Sequence, residues 1–95
     1  MFGKAKEKHA LRRVPILVEA VQAGEVRVTG DFSRWSREGI PLNREGAGSW
    51  RAVLSLEPGE YQYRLLVDGE WRDHAGAAAR VANPFGSENC ILRVP

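Results

Sequence analysis

Two runs of alternating residues meet at an Asp-Gly pair in YQYRLLVDGEWR, residues 61–72, and no other stretch constrains the chain so tightly. Asp-Gly between apolar runs marks a two-residue β-hairpin, because a type I′ turn needs positive φ at both central positions. With Asp68 and Gly69 as the loop, Val67 faces Glu70 and Leu66 faces Trp71. Side chains alternate between the faces of a strand, so Trp71 shares its face with Leu66 and Arg64. Tyr61, Tyr63, Leu65 and Val67 point the other way, and that face reads as core. The largest side chain of the hairpin is thereby left on the outer face, beside an arginine.

The period of two runs through the rest of the chain. VPILVEA places Val14, Ile16 and Val18 on one face, and Pro15 suits an edge strand because it has no N–H to donate. Val26, Val28 and Phe32 alternate with Arg27, Thr29 and Asp31, and Trp50, Ala52, Leu54 and Leu56 share a side of WRAVLSL. SRWSREG is polar and irregular around Trp35, IPL is a short extended piece, and NREGAGS is a glycine-rich loop. HAGAAARVANPFGSE is a long connection before a last strand, NCILRV. Short strands at intervals of about 8–12 residues with turn chemistry between them indicate an antiparallel sandwich or barrel. The expected fold is all-β, with seven or eight antiparallel strands in two sheets.

Ninety-five residues suffice for one domain with a modest core, burying about two-thirds of the unfolded surface. No apolar stretch approaches the roughly 18 residues of a membrane span, and the amino terminus lacks the apolar run of a signal peptide. The lone cysteine, Cys90, cannot form an internal disulfide and fits a reducing compartment, so the expected location is the cytoplasm. Residues 1–13 carry Lys4, Lys6, Lys8, Arg12 and Arg13 against Glu7, a net of +4. The other 82 residues hold nine bases and eleven acids, a net of −2. The division expected is a basic, flexible tail over 1–13 and a slightly acidic domain over 14–95. A nucleic-acid binder carries its basic stripe on the folded surface, so neither nucleic acid nor membrane is an expected partner.

Catalytic constellations are missing from the sequence. His74 is the sole histidine after the tail, and Asp73 beside it would point to the opposite face of a strand. Cys90 lies in an apolar strand, where a buried thiol is inert. No phosphate loop, dinucleotide fingerprint or metal-ligand spacing occurs, so neither enzyme activity nor a cofactor is expected. The tryptophans are more informative. Trp50 is in phase with the core, whereas Trp35 lies in a polar loop and Trp71 on the arginine face. Exposed indoles mark interaction sites, and a flat indole suits the apolar C–H face of a pyranose. Against this stands the simpler alternative that the two rings pack on each other or under a loop.

VRVTGDFSRW, SWRAVLSLEPGEYQYRLLVDGEW and NPFGSENCILRV, in that order from about Val14 to Val94, resemble the glycogen-binding domain of the AMP-activated kinase β subunit. They equally resemble the early-set domains at the front of branching enzymes, pullulanases and isoamylases, and NPFGSEN is most similar to small free-standing bacterial forms. The resemblance implies an immunoglobulin-like early-set β-sandwich that binds α-1,4-linked glucans such as glycogen, starch or maltooligosaccharides. It places Trp35 and Trp71 as stacking residues, and Arg64 where kinase domains carry a hydroxyl-binding lysine. Asn89 matches an amide that reads hydroxyls, Ser87 stands for a threonine, and Phe85 for a leucine that reaches through the oligosaccharide. Arginine for lysine keeps the charge and changes the donor geometry.

Fold alone does not settle function. A docking or regulatory module could use the same aromatic face, associated with a separate glycogen-metabolising enzyme. The two readings part on whether Trp35, Arg64, Trp71 and Asn89 converge on one open surface.

Overall fold

The computed structural model describes residues 10–20 and 22–95, and the statements that follow concern those residues. They form nine strands in two antiparallel sheets. The strands are β1 (Arg12–Glu19), β2 (Val26–Gly30), β3 (Ile40–Pro41), β4 (Asn43–Glu45), β5 (Ser49–Leu56), β6 (Gly59–Val67), β7 (Glu70–Arg72), β8 (Ala79–Ala82) and β9 (Glu88–Val94). A three-stranded sheet has the order β1-β5-β4, and a six-stranded sheet the order β3-β2-β6-β9-β8, with β7 paired to β6. The all-β sandwich is therefore as expected. The additional strands are short pieces that alternation could not resolve.

Arg12 and Arg13, assigned to the tail on sequence, are the first residues of β1 and pair with Leu56 and Ser55. The flexibility expected of the rest of the tail concerns residues that, up to His9, lie outside those described. Pro15 sits on β1, an edge strand, as its missing N–H requires. NREGAGS is not all loop: Asn43–Glu45 pairs with β5, and Ala79–Ala82 within the long connection pairs with β9.

The core lies between the sheets. Ile16, Val18, Trp50, Leu54 and Leu56 come from one side, and Val26, Val28, Tyr63, Leu65, Cys90 and Val94 from the other. Tyr61 and Val67, expected in the core, are half-buried and pack against its margin. Trp50 is 5% exposed, its indole N–H donating to the Ala20 carbonyl at 3.2 Å, with the Arg44 guanidinium 4.6 Å from the ring centroid.

A polar bridge joins the sheets. His74 Nε2 lies 2.8 Å from the Leu17 carbonyl in β1, and Nδ1 lies 2.7 Å from the Tyr63 hydroxyl in β6. A carbonyl only accepts, so Nε2 carries a proton, and in the neutral imidazole Nδ1 is then the acceptor for the Tyr63 hydroxyl. Burial pushes the Tyr63 phenol well above its ordinary range; Cys90 adds to the rise and Arg80 opposes it. The hydroxyl therefore stays a donor. Asp73 turns away from this network and pairs with Arg64 at 3.1 Å.

The hairpin has the expected register, Val67 with Glu70 and Leu66 with Trp71. Asp68 and Gly69 have φ of 51° and 83°, the positive pair that a type I′ turn needs. Cross-strand partners share a face, so Thr29, Arg64, Leu66 and Trp71 lie together on the outer side of the six-stranded sheet. Thr29, expected on a polar face, is fully buried there, its hydroxyl bonding Ser36 O at 2.7 Å and Ser33 Oγ at 2.9 Å. Leu66 is 3% exposed on the same side. The segment after β2 is tied down over this face, by Thr29 at Ser36 and by Arg27, whose guanidinium donates to Glu38 O at 2.8 Å.

Candidate functional site

That segment carries Trp35 to the outer face. Gly30 ends β2 against β6 so closely that a Cβ would stand 2.2 Å from the Gln62 carbonyl oxygen, which excludes any larger residue. A short 3-10 turn, Asp31–Ser33, follows. Arg34 and Trp35 then both adopt left-handed backbone, φ 55° and 56°, a costly conformation for residues with side chains. Trp35 N–H donates to Gly30 O at 3.0 Å, closing the turn. One Asp31 oxygen accepts the Trp35 indole N–H at 3.0 Å while the other accepts Gln62 N–H at 2.7 Å. Asp31 thus links the indole to β6.

Trp35 and Trp71 stand with ring centroids 6.4 Å apart and planes inclined at 45°. The rings are neighbours without being stacked face to face. Trp71 is 37% exposed and Trp35 half-buried, so neither belongs to the core. Two guanidinium groups lie near Trp71, Arg64 at 5.7 Å and Arg37 at 5.9 Å from the ring centroid. Arg64 is held at its tip, where Nη2 pairs with Asp73 at 3.1 Å and Nη1 lies 3.5 Å from Ser87 Oγ, while its Nε is buried without a hydrogen-bond partner.

The third wall is the loop between β8 and β9. Phe85 is 90% exposed at its tip, and the Asn83 side chain bonds across its base to Ser87 and Asn89. Asn89 in turn donates to Gln62 Oε1 at 3.0 Å. Trp35, Arg64, Trp71, Phe85, Ser87 and Asn89 line one open cleft of about 480 Å³, together with Asn83 and Pro84. All six residues singled out on sequence are brought together. Asn83, Asp73, Asp31 and Arg37 were not singled out. Asn83 lies in the long connection and carries no pattern that marks its role, and the aspartates make contacts that no local pattern encodes.

Chemically the cleft offers two inclined indoles, a projecting phenyl ring, a guanidinium, a hydroxyl and an amide. Among the described residues no group of three or more His, Cys, Asp or Glu side chains is placed to hold a metal ion. No helix among them is long and apolar enough to cross a membrane. Flat apolar surfaces bordered by neutral and cationic hydrogen-bonding groups thus lie together on the outer face of a β-sandwich. The chain belongs to the family described as the glycogen recognition site of AMP-activated protein kinase, whose model matches residues 14–95.

Among its relatives, 5'-AMP-activated protein kinase subunit beta-1 of Sus scrofa is 39% identical over 70 residues, covering 74% of this chain and 54% of that protein. Subunit beta-1 of Rattus norvegicus is 37% identical over 70 residues, 24% of its length. Subunit beta-2 of Mus musculus is 33% identical over 88 residues, covering 92% of this chain and 31% of that protein. The chain spans about half or less of each of these relatives.

Proposed function

We propose that the domain binds α-1,4-linked glucans without chemically altering them. Trp35 and Trp71 stack on sugar faces, Phe85 supplies a third apolar surface, and Arg64, Ser87 and Asn89 bond hydroxyls. The observation that carries this reading is the convergence of those six residues, from three separate parts of the chain, on one cleft. Membership of a glycogen-recognition family supports the ligand class. Stacking supplies most of the affinity, because a shallow wet site exchanges its hydrogen bonds with water at little net gain.

In this reading the domain works in the cytoplasm and brings glucan to a separate enzyme of glycogen metabolism. The relatives, named as kinase subunits, support a partner on another chain. Direct evidence for ligand class comes from titrating the protein with maltoheptaose or β-cyclodextrin while following indole emission. Saturable change in emission is expected. A flat response at millimolar sugar contradicts the proposal.

A further inference from the structure

The loop that presents Phe85 is organised around one side chain. Asn83 Oδ1 accepts the backbone N–H of Phe85 at 3.0 Å and of Ser87 at 3.1 Å. Its Nδ2 donates to Ser87 Oγ at 2.9 Å and to Asn89 Oδ1 at 3.0 Å. The main chain closes the same turn, Asn83 N–H donating to Ser87 O at 2.9 Å.

These bonds have a fixed direction. Backbone N–H groups can only donate, so they determine which end of the Asn83 amide is oxygen. Its nitrogen then faces Ser87 and Asn89, and Asn89 turns its own oxygen to Asn83 and its nitrogen to Gln62 Oε1, 3.0 Å away. One amide sets the path of the loop and the orientation of two expected sugar-binding groups. Both N–H groups of Asn83 are used internally, which leaves it no donor for a sugar. Phe85, 90% exposed, has almost no packing of its own to hold it.

We propose that Asn83 is the positioning residue of the glucan site, holding Phe85, Ser87 and Asn89 in their binding arrangement before the ligand arrives. The inference rests on the glucan reading of the cleft. A loop ordered in advance need not be ordered at the expense of binding energy.

The test is calorimetric titration with maltoheptaose of the parent, Asn83→Ala, Asn83→Asp, Phe85→Ala and the Asn83→Ala/Phe85→Ala double variant. Asn83→Ala should weaken binding about tenfold; Asn83→Asp keeps an acceptor for both backbone donors but loses the donor to Ser87 and Asn89, so it should weaken binding by more than about threefold while leaving the loop path intact. In the Phe85→Ala background, Asn83→Ala should cost no more than about threefold, because its effect runs partly through that ring. Parental affinity in Asn83→Ala or in Asn83→Asp, or an undiminished loss in the Phe85→Ala background, overturns the inference. Amide exchange of Phe85 and Ser87 in the free protein separates this from the glucan reading. Exchange should accelerate about tenfold or more in Asn83→Ala and stay near parental in Asn83→Asp. A parent that binds no sugar removes the glucan reading alone; unchanged exchange in Asn83→Ala removes the role of Asn83 whatever the ligand.

Discussion

Trp50 and Trp71 carry the same side chain into two different situations. Trp50 faces the space between the sheets at 5% exposure, whereas Trp71 stands on an outer face at 37%. Trp50→Ala should lower stability by about 3–5 kcal/mol in denaturant unfolding, through lost burial and the cavity left behind. An unfolding midpoint within error of the parent would show that this ring is not part of the core. Alternation along WRAVLSL and across the hairpin separates the two tryptophans without any structure. Thr29 shows where the same rule stops. Alternation assigned it correctly to the outer side, but its burial depends on the segment that crosses over it and takes up its hydroxyl at Ser36. Period two tells which face a side chain is on; it does not tell what lies over that face.

Among the elements, the β6–β7 hairpin was the most legible, because Asp68 and Gly69 encode both turn type and register. Asp68 has a second task. Its Oδ1 accepts the N–H groups of Gly24 and Glu25, each at 2.9 Å, and so ties the hairpin to the turn before β2. That tie connects residues more than forty positions apart, beyond any local signal. Strand β8 escaped notice because AAARVA has little β propensity and pairs only as the edge neighbour of β9.

The bridge from Tyr63 through His74 to Leu17 also depends on three distant elements. Tyr63→Phe leaves His74 Nδ1 without its donor and should cost about 1–2 kcal/mol at neutral pH. The raised phenol carries a sign for alkaline solution. The unfolded chain loses the Tyr63 proton near the ordinary tyrosine value of 10.0 while the folded protein keeps it. The unfolded state therefore binds fewer protons above that pH, and stability falls as pH rises from there. Tyr63→Phe should show a shallower alkaline loss than the parent in thermal melts from pH 9 to 11. Equal slopes would mean that the phenol ionises alike in both states.

At the scale of the whole molecule, a two-sheet sandwich puts its core between the sheets and leaves each outer face to water or to a ligand. The six-stranded sheet carries the aromatic cleft on its outer face, lined from the segment after β2, the β6–β7 hairpin and the β8–β9 loop. The residues that line the cleft were legible because tryptophans on polar stretches are anomalies, and because GDFSRW, VDGEW and NPFGSEN resemble one family in order, the family whose model matches residues 14–95. The supports behind them were not. Asp31 under Trp35, Asp73 on Arg64 and Asn83 in the loop act through geometry that only folding creates.

The central claim is that the displaced indole of the hairpin is a sugar platform, and the most direct test is calorimetric titration of parent and Trp71→Ala with maltoheptaose, with thermal melts on both. Trp71→Ala should fold as the parent does and bind more weakly by about 2 kcal/mol or more, roughly thirtyfold. A variant that folds normally and binds maltoheptaose as tightly as the parent would contradict the account.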